Sequence, residues 1–136
     1  ADGMDAALCR LDIQNKELLF AGAHLPLQLL RNGEVQTFKG SKFPIGGMQY
    51  KNKNNYEDHV ISIEKGDRIF VYSDGIVDQM GGEEDKKWKT SSLVNFIIEN
   101  QNIPIQDLKN TLHQAFLNYK GETKQMDDVL VIGLEI

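Results

Sequence analysis

Cysteine, histidine and proline are scarce in this sequence of 136 residues, which has one cysteine (Cys9), three histidines and three prolines. One cysteine cannot form a disulfide within the chain, and the sequence shows no cluster of cysteine and histidine residues that would suggest a zinc site. The first residues show neither the basic start nor the apolar stretch of a secretory signal. A reducing, cytoplasmic setting is therefore predicted.

Long apolar runs and an excess of basic residues are also absent. The longest apolar runs, such as residues 129–132, are only a few residues long, whereas a helix needs about 20 apolar residues to cross a bilayer. The formal net charge is -5, with 20 acidic and 15 basic residues, so the overall field repels a phosphate backbone. Neither a membrane segment nor a nucleic-acid partner is predicted.

What the sequence does contain is typical of one globular domain spanning residues 1–136, with 40% hydrophobic and 26% charged residues. Alternating and apolar stretches predict strands at residues 6–12, 18–21, 27–30, 35–38, 59–63 and 68–72. The dipeptide Asn32-Gly33 suits a tight type I′ turn between two of them. The polar residues 49–58 predict an exposed loop.

The last third of the sequence predicts two helices and a final strand. Thr90 or Ser91 is the expected N-cap of the first helix, and Pro104 opens the second, which Gly121 ends. Residues 129–132 and 134–136 form a further apolar strand, predicted to be among the most buried. The fold class is therefore α+β, with mostly antiparallel sheets and a C-terminal helical hairpin on one sheet.

Carboxylates lie at the ends of two apolar strands, with Asp74 after one and Asp127-Asp128 before the other. If these strands pair antiparallel, Asp74 and Asp127 meet. Clustered carboxylates repel each other unless a cation neutralises them, and oxygen ligands favour magnesium or manganese. Gly75 allows a sharp turn and a close approach. On these residues alone a purely structural interpretation stays open, because aspartate commonly caps turns and solvates strand ends.

Two segments, residues 70–78 (Phe-Val-Tyr-Ser-Asp-Gly-Ile-Val-Asp) and 125–132 (Gln-Met-Asp-Asp-Val-Leu-Val-Ile), resemble signature segments of SpoIIE-type phosphatases. These are bacterial members of the metal-dependent protein phosphatase 2C superfamily. Residues 21–26 resemble the family's Asn-Ala-Gly-His-x-Pro turn, residues 43–46 its Leu-Pro-Leu-Gly-like turn, and Lys-Gly-Asp at 65–67 is typical before the buried strand. The motifs occur in the family's order and span nearly the whole chain.

The resemblance implies a partial protein phosphatase 2C-like α-β-β-α sandwich and a serine/threonine phosphatase acting in bacterial signal transduction. By position, Asp74 and Asp127 match metal ligands of the family, and Gly75 and Asp128 are neighbours that shape or solvate the site. Two magnesium or manganese ions then activate a water for attack on phosphorus, so no side chain acts as the catalytic nucleophile. His24, in the turn, is interpreted as a structural, hydrogen-bonded residue.

One family feature has no counterpart here, namely an earlier Asp-Gly motif that binds both metals and precedes a helix pair. Asp2-Gly3 leads straight into the strand at residues 6–12 and does not fit it. The sequence is therefore interpreted as the C-terminal portion of the catalytic domain, without the N-terminal metal-binding segment and with weak or no activity alone. An exposed sheet would favour a homodimer. Whether the parent protein also carries membrane or sensor domains stays open from this sequence.

Three functions stay open from the sequence. The leading one is hydrolysis of a phosphorylated protein, for example an anti-sigma-factor antagonist, with substrate-binding residues unassigned. The alternative is a non-catalytic signalling or protein-interaction domain that retains the phosphatase fold. The third is an unrelated α+β domain whose acidic loops bind no metal.

Overall fold

A computed structural model describes residues 2–47 and 55–136, so most of the loop predicted at residues 49–58 lies outside the described residues. The elements in chain order are β1 Ala6–Asp12, β2 Glu17–Ala23, β3 Leu27–Arg31, β4 Glu34–Phe38, β5 Asp58–Ser62, β6 Arg68–Tyr72, β7 Met80–Gly81, β8 Lys86–Lys87, α1 Lys89–Glu99, α2 Ile105–Lys120 and β9 Val131–Glu135.

Two antiparallel sheets form the framework, one with strand order β1-β2-β5 and the other with order β4-β3-β6-β9. A short hairpin of β7 and β8, which the sequence did not predict, forms a separate two-stranded sheet. It contacts the end of α2, where the N–H of Gly82 donates to the carbonyl of Tyr119 at 2.9 Å. Asn32 and Gly33 join β3 to β4 with φ angles of 51° and 77°, as a type I′ turn requires. The predicted α+β class with antiparallel sheets is confirmed.

The four-stranded sheet is apolar on both faces because its strands separate two cores. The alternation of side chains in β3 turns Leu29 toward the three-stranded sheet and Leu30 toward the helices. The core between the sheets contains Leu18, Phe20, Leu27, Leu29, Ile61, Ile63 and Ile69. The core under the helices contains Leu30, Phe70, Tyr72, Ile76, Leu93, Phe96, Ile97, Leu108 and Phe116. The layers are therefore sheet, sheet and helical hairpin.

The second helix has the predicted ends. Pro104 occupies its N-cap position, and Gly121 follows its last residue with a φ of 52°, a conformation that glycine adopts without strain. Leu108 and Phe116 are its buried residues. Among the described residues, no helix is long and apolar enough to cross a bilayer.

The first helix begins earlier than predicted. It starts at Lys89, with Trp88 at the N-cap position and no side-chain cap, so the prediction of Thr90 or Ser91 as N-cap is wrong. The side chain of Thr90 instead lies close enough to the hydroxyl of Tyr72 to influence its pKa, which burial raises.

The last strand differs most from its prediction. It begins at Val131, and it is an edge strand, paired only with β6 among the described strands. Ile132 is 54% exposed and Leu134 43% exposed, so the prediction of a deeply buried strand is wrong. Apolar residues indicate burial only if another element covers them, and no described element covers this edge.

Candidate metal site

The site is built at one end of the four-stranded sheet, where β6 ends and β9 begins. These strands pair antiparallel, with Tyr72 opposite Val131. Asp74 follows Tyr72 by two residues and Asp127 precedes Val131 by four. The register therefore brings the two predicted carboxylates to the same sheet end.

Ser73 joins the end of β6 to the segment before β9 through three hydrogen bonds. Its backbone N–H donates to the carbonyl of Leu130 at 2.9 Å. Its hydroxyl donates to the carbonyl of Asp128 at 3.1 Å and accepts from the N–H of Leu130 at 2.9 Å. The serine of the Ser-Asp-Gly segment thus fixes the backbone that carries Asp127.

Gly75 lies directly against the backbone of the second segment. A Cβ atom at this position would lie 2.2 Å from the carbonyl oxygen of Asp128 and 3.4 Å from the carbonyl carbon of Asp127. Real Cβ atoms do not approach backbone oxygens so closely, so only glycine fits without displacing the chain. Glycine is required by this close approach.

Repulsion between carboxylates characterises the site. Burial first, and then the charges of Asp78, Asp127 and Asp5, raise the pKa of Asp74 above its ordinary value. Asp78 lies one helical turn beyond Asp74, and its N–H donates to the Asp74 carbonyl at 2.9 Å. Neither Asp78 nor Asp5 was predicted as part of the site. The sequence could have indicated Asp78, because it follows Asp74 by four residues within the 70–78 segment. It could not have indicated Asp5, because the position of Asp5 near Asp74 depends on how the strands pair.

Asp127 is held by its own neighbours. Its Oδ1 accepts a hydrogen bond from the N–H of Asp128 at 2.7 Å, and its carbonyl accepts one from the side chain of Gln125 at 2.9 Å. Within residues 2–47 and 55–136, no lysine, arginine or histidine forms an ion pair with Asp74 or Asp127. Their negative charge is therefore uncompensated by the described part of the chain.

The donor set fits a hard divalent cation in part. Asp74 and Asp127 offer only oxygen atoms, as magnesium and manganese prefer, and their mutual repulsion would be relieved by a cation. Octahedral magnesium takes six ligands, and in the described part of the chain no three or more His, Cys, Asp or Glu side chains are arranged to hold an ion. The described residues thus offer a fraction of a coordination shell.

The fold matches solved domains of the protein phosphatase 2C type. The SiaA-PP2C domain of Pseudomonas aeruginosa has a TM-score of 0.88 and 26% identity, over 97% of this chain and 51% of that chain. The Mn-presoaked phosphatase domain of SpoIIE from Bacillus subtilis has a TM-score of 0.67 and 17% identity, over 97% and 56%. The Mycobacterium tuberculosis serine/threonine phosphatase PstP/Ppp has a TM-score of 0.65 and 18% identity, over 98% and 60%.

The family follows from a match over nearly the whole sequence. The sequence model of the protein family described as stage II sporulation protein E (SpoIIE) matches residues 2–136. The chain belongs to the SpoIIE family of protein phosphatase 2C-type phosphatase domains, as its motifs predicted. It spans about half the length of the P. aeruginosa domain. Comparison with curated protein sequences finds no significant match.

Proposed function

We propose that the chain is the C-terminal portion of a metal-dependent serine/threonine phosphatase domain that acts on a phosphorylated protein in bacterial signalling. The observation that carries the proposal is the register of β6 and β9, which places Asp74 and Asp127 at one sheet end with uncompensated charge. The proposed ligands to magnesium or manganese are Asp74 and Asp127, with Gly75 and Asp128 shaping their backbone. A cytoplasmic location is part of the proposal.

A second part of the proposal is that the remaining ligands come from a segment outside this sequence. Two carboxylates are too few for two ions, and the similar P. aeruginosa domain has about as much chain again. Bound divalent ions would lower the pKa of water and orient it toward phosphorus. This chain would hold Asp74 and Asp127 in position, because the hydrogen bonds of Ser73 and the close approach at Gly75 join the two strand ends that carry them. The chain alone should bind metal weakly and turn over poorly.

Two relatives support this proposal. The M. tuberculosis relative is a serine/threonine phosphatase, and the SpoIIE domain, from a cell fate determinant, was presoaked with manganese. We extend serine/threonine phosphatase activity and the use of manganese to this chain because Asp74 and Asp127 lie in segments that resemble the family's signature motifs. An anti-sigma-factor antagonist remains the proposed type of substrate.

One observation favours the alternative of a non-catalytic protein-interaction domain. A groove of about 730 Å³ lies between α2 and the sheet, with Phe70, Leu112 and Val131 among its apolar lining residues. Beside it, Ile132 and Leu134 are exposed along the open edge of β9. Exposed apolar patches of this kind mark contacts with other polypeptides. A homodimer through this edge is one such contact, and it is compatible with either function.

The decisive experiment is a phosphatase assay of the full-length protein that carries this chain, with Mn²⁺ and a phosphoserine peptide. We expect Asp74→Asn and Asp127→Asn each to lower turnover by roughly a hundredfold or more, since each removes a ligand. The control is Glu83→Gln, the same change from carboxylate to amide in the exposed β7–β8 turn. Normal metal-dependent turnover in both aspartate variants would exclude the site. A folded wild-type protein with no turnover would favour the interaction domain.

Calorimetric titration tests the chain by itself. Manganese should bind wild-type chain weakly, and either asparagine variant should abolish the heat of binding. Tight binding that survives both substitutions would place the metal elsewhere.

A further inference from the structure

The register of the strands places a histidine at the same end of the sandwich as the candidate metal site. Asp5 precedes β1, and Ala6 lies opposite Ala23 at the end of β2, so Asp5 and His24 are neighbours. The next strand, β3, begins with Leu27 opposite Val71, near the end of β6 that leads to Asp74. Asp5 and His24 thus lie at the same end of the sandwich as the carboxylates, and the charge of Asp5 acts on Asp74.

His24 and Asp5 form a direct contact. The Nδ1 atom of His24 lies 2.8 Å from Oδ1 of Asp5, and the two side chains are 38% and 39% exposed. Because an ionised carboxylate only accepts hydrogen bonds, Nδ1 carries the proton in this pair. In the described part of the chain no hydrogen bond engages Nε2 of His24. The pair therefore orients the imidazole and leaves its second nitrogen available to a ligand.

The backbone that carries this imidazole is unusually constrained. His24 has a φ of 64°, a left-handed conformation that is uncommon outside glycine. Its N–H donates to the carbonyl of Ser41 at 2.8 Å. Cβ atoms on Gly22 and Gly40 would lie 2.1 Å and 2.6 Å from the carbonyl oxygen of Leu25, so two glycines enclose the turn. The turn that carries His24 is therefore fixed in one backbone conformation.

We propose that His24, oriented by Asp5, is the proton donor to the serine or threonine oxygen that leaves phosphorus. This assignment rests on the proposed phosphatase function and goes beyond it, because that function uses only Asp74 and Asp127. It also revises the interpretation of His24 as a purely structural residue. The hydrogen bond to Asp5 is then the positioning contact, and Asp5 acts through His24.

The proposed step hydrolyses the bond between phosphorus and the seryl or threonyl oxygen. Water forms a new bond to phosphorus and releases one proton to solvent, while the bond from phosphorus to the seryl or threonyl oxygen breaks. The electron pair of that bond stays on the departing oxygen, which takes the proton from Nε2 of the imidazolium. His24 then regains a proton from solvent, so the products are an alcohol side chain and phosphate. An alkoxide leaves poorly without a proton, whereas a nitrophenolate leaves well, and this difference supplies the test.

The first experiment compares two substrates in the full-length protein with Mn²⁺, a phosphoserine peptide and p-nitrophenyl phosphate. His24→Asn should lower kcat for the peptide by about a hundredfold, the usual contribution of general acid catalysis, and kcat for the aryl phosphate by less than about threefold. Asp5→Ala should show the same selectivity with a smaller loss. The control is His113→Asn, at an exposed position on α2, which should leave both activities unchanged.

The outcomes separate this inference from the proposed function. If Asp74→Asn abolishes both activities while His24→Asn lowers both equally or neither, the phosphatase stands and the proton donor is refuted. If Asp74→Asn leaves both activities intact, the proposed function itself fails. Equal melting temperatures of the His24→Asn variant and the wild type would exclude loss of folding as the cause.

The second experiment needs neither metal nor turnover. Long-range ¹H–¹⁵N NMR of the chain distinguishes the tautomers of a neutral imidazole. We expect His24 to carry its proton on Nδ1 in the wild type and to become a mixture of tautomers in Asp5→Ala. A proton on Nε2 in the wild type, or a spectrum that Asp5→Ala does not change, would overturn the proposed orientation. His113 provides the internal reference for an unoriented ring.

Discussion

Replacing Asp74 by asparagine should stabilise the chain when no metal is present. The folded protein raises the pKa of Asp74, through burial and through the charges of Asp78, Asp127 and Asp5. The folded state therefore binds this proton more tightly than the unfolded state, and stability falls as pH rises from the ordinary value of 3.8 through the raised value. Asparagine keeps the shape of the side chain and removes the repelled charge.

The expected gain is modest because Asp74 is exposed to solvent. Exposed charge pairs contribute a few tenths of a kcal/mol to about 1 kcal/mol each, and salt screens them. We therefore expect Asp74→Asn to add about 1 kcal/mol to the free energy of unfolding at pH 7.5 and low ionic strength. For a domain of this size that corresponds to a rise in Tm of roughly 3–5 °C.

Manganese should reverse the order of stability. A ligand that binds only the folded state adds about 1.4 kcal/mol when its concentration is ten times its Kd. The wild type should gain this amount, whereas Asp74→Asn, with one carboxylate fewer, should gain little. The same substitution would then be stabilising in chelator and destabilising in metal.

Urea denaturation followed by circular dichroism checks both expectations, with EDTA or MnCl₂ and at pH values from 7.5 to 3.5. In EDTA the advantage of the variant should shrink as pH falls toward 3.8, because the wild-type carboxyl is then protonated. Glu83→Gln is the control and should change stability by less than about 0.5 kcal/mol. A variant less stable than the wild type in EDTA at pH 7.5, or equal stabilisation of both by manganese, would refute the reasoning.

Three further predictions concern the stability of the fold and its assembly. Burial is the largest single influence on the pKa of the 2% exposed Asp67 side chain and raises it, but hydrogen bonds from Arg31 and from the N–H of Glu64, together with the charge of Arg31, outweigh burial and hold this pKa below 3.8. Asp67→Asn should therefore cost about 3 kcal/mol in urea denaturation at pH 7. The wild type should lose this stabilisation as pH falls through the lowered pKa. Gly75→Ala should cost about 1–3 kcal/mol, measured in the same way, because its Cβ would collide with Asp128; an unchanged midpoint would contradict the close approach. If the chain dimerises through β9, Ile132→Lys should make it monomeric by light scattering, and a persistent dimer would place the interface elsewhere.

Local chemistry was sufficient to predict much of the framework. The turn at Asn32-Gly33 and the end of α2 at Gly121 depend on backbone conformations that few residues adopt, so the sequence reveals them directly. Alternating apolar residues located β1, and the apolar run before Asp74 located β6. Aspartates at two strand ends, together with the family motifs, identified Asp74 and Asp127 as the candidate ligands.

Only the tertiary structure shows which distant segments contact each other. Val131 and Ile132 are apolar whether their strand is central or at an edge, so only the sheet order shows that β9 has one described neighbour. Thr90 has the chemistry of an N-cap, but the helix already begins at Lys89, with Trp88 at the N-cap position. The pairing of His24 with Asp5 depends on the register of β1 against β2. Composition and local pattern fix the preferences of a short segment, whereas contacts between distant segments are fixed only when the sheets assemble.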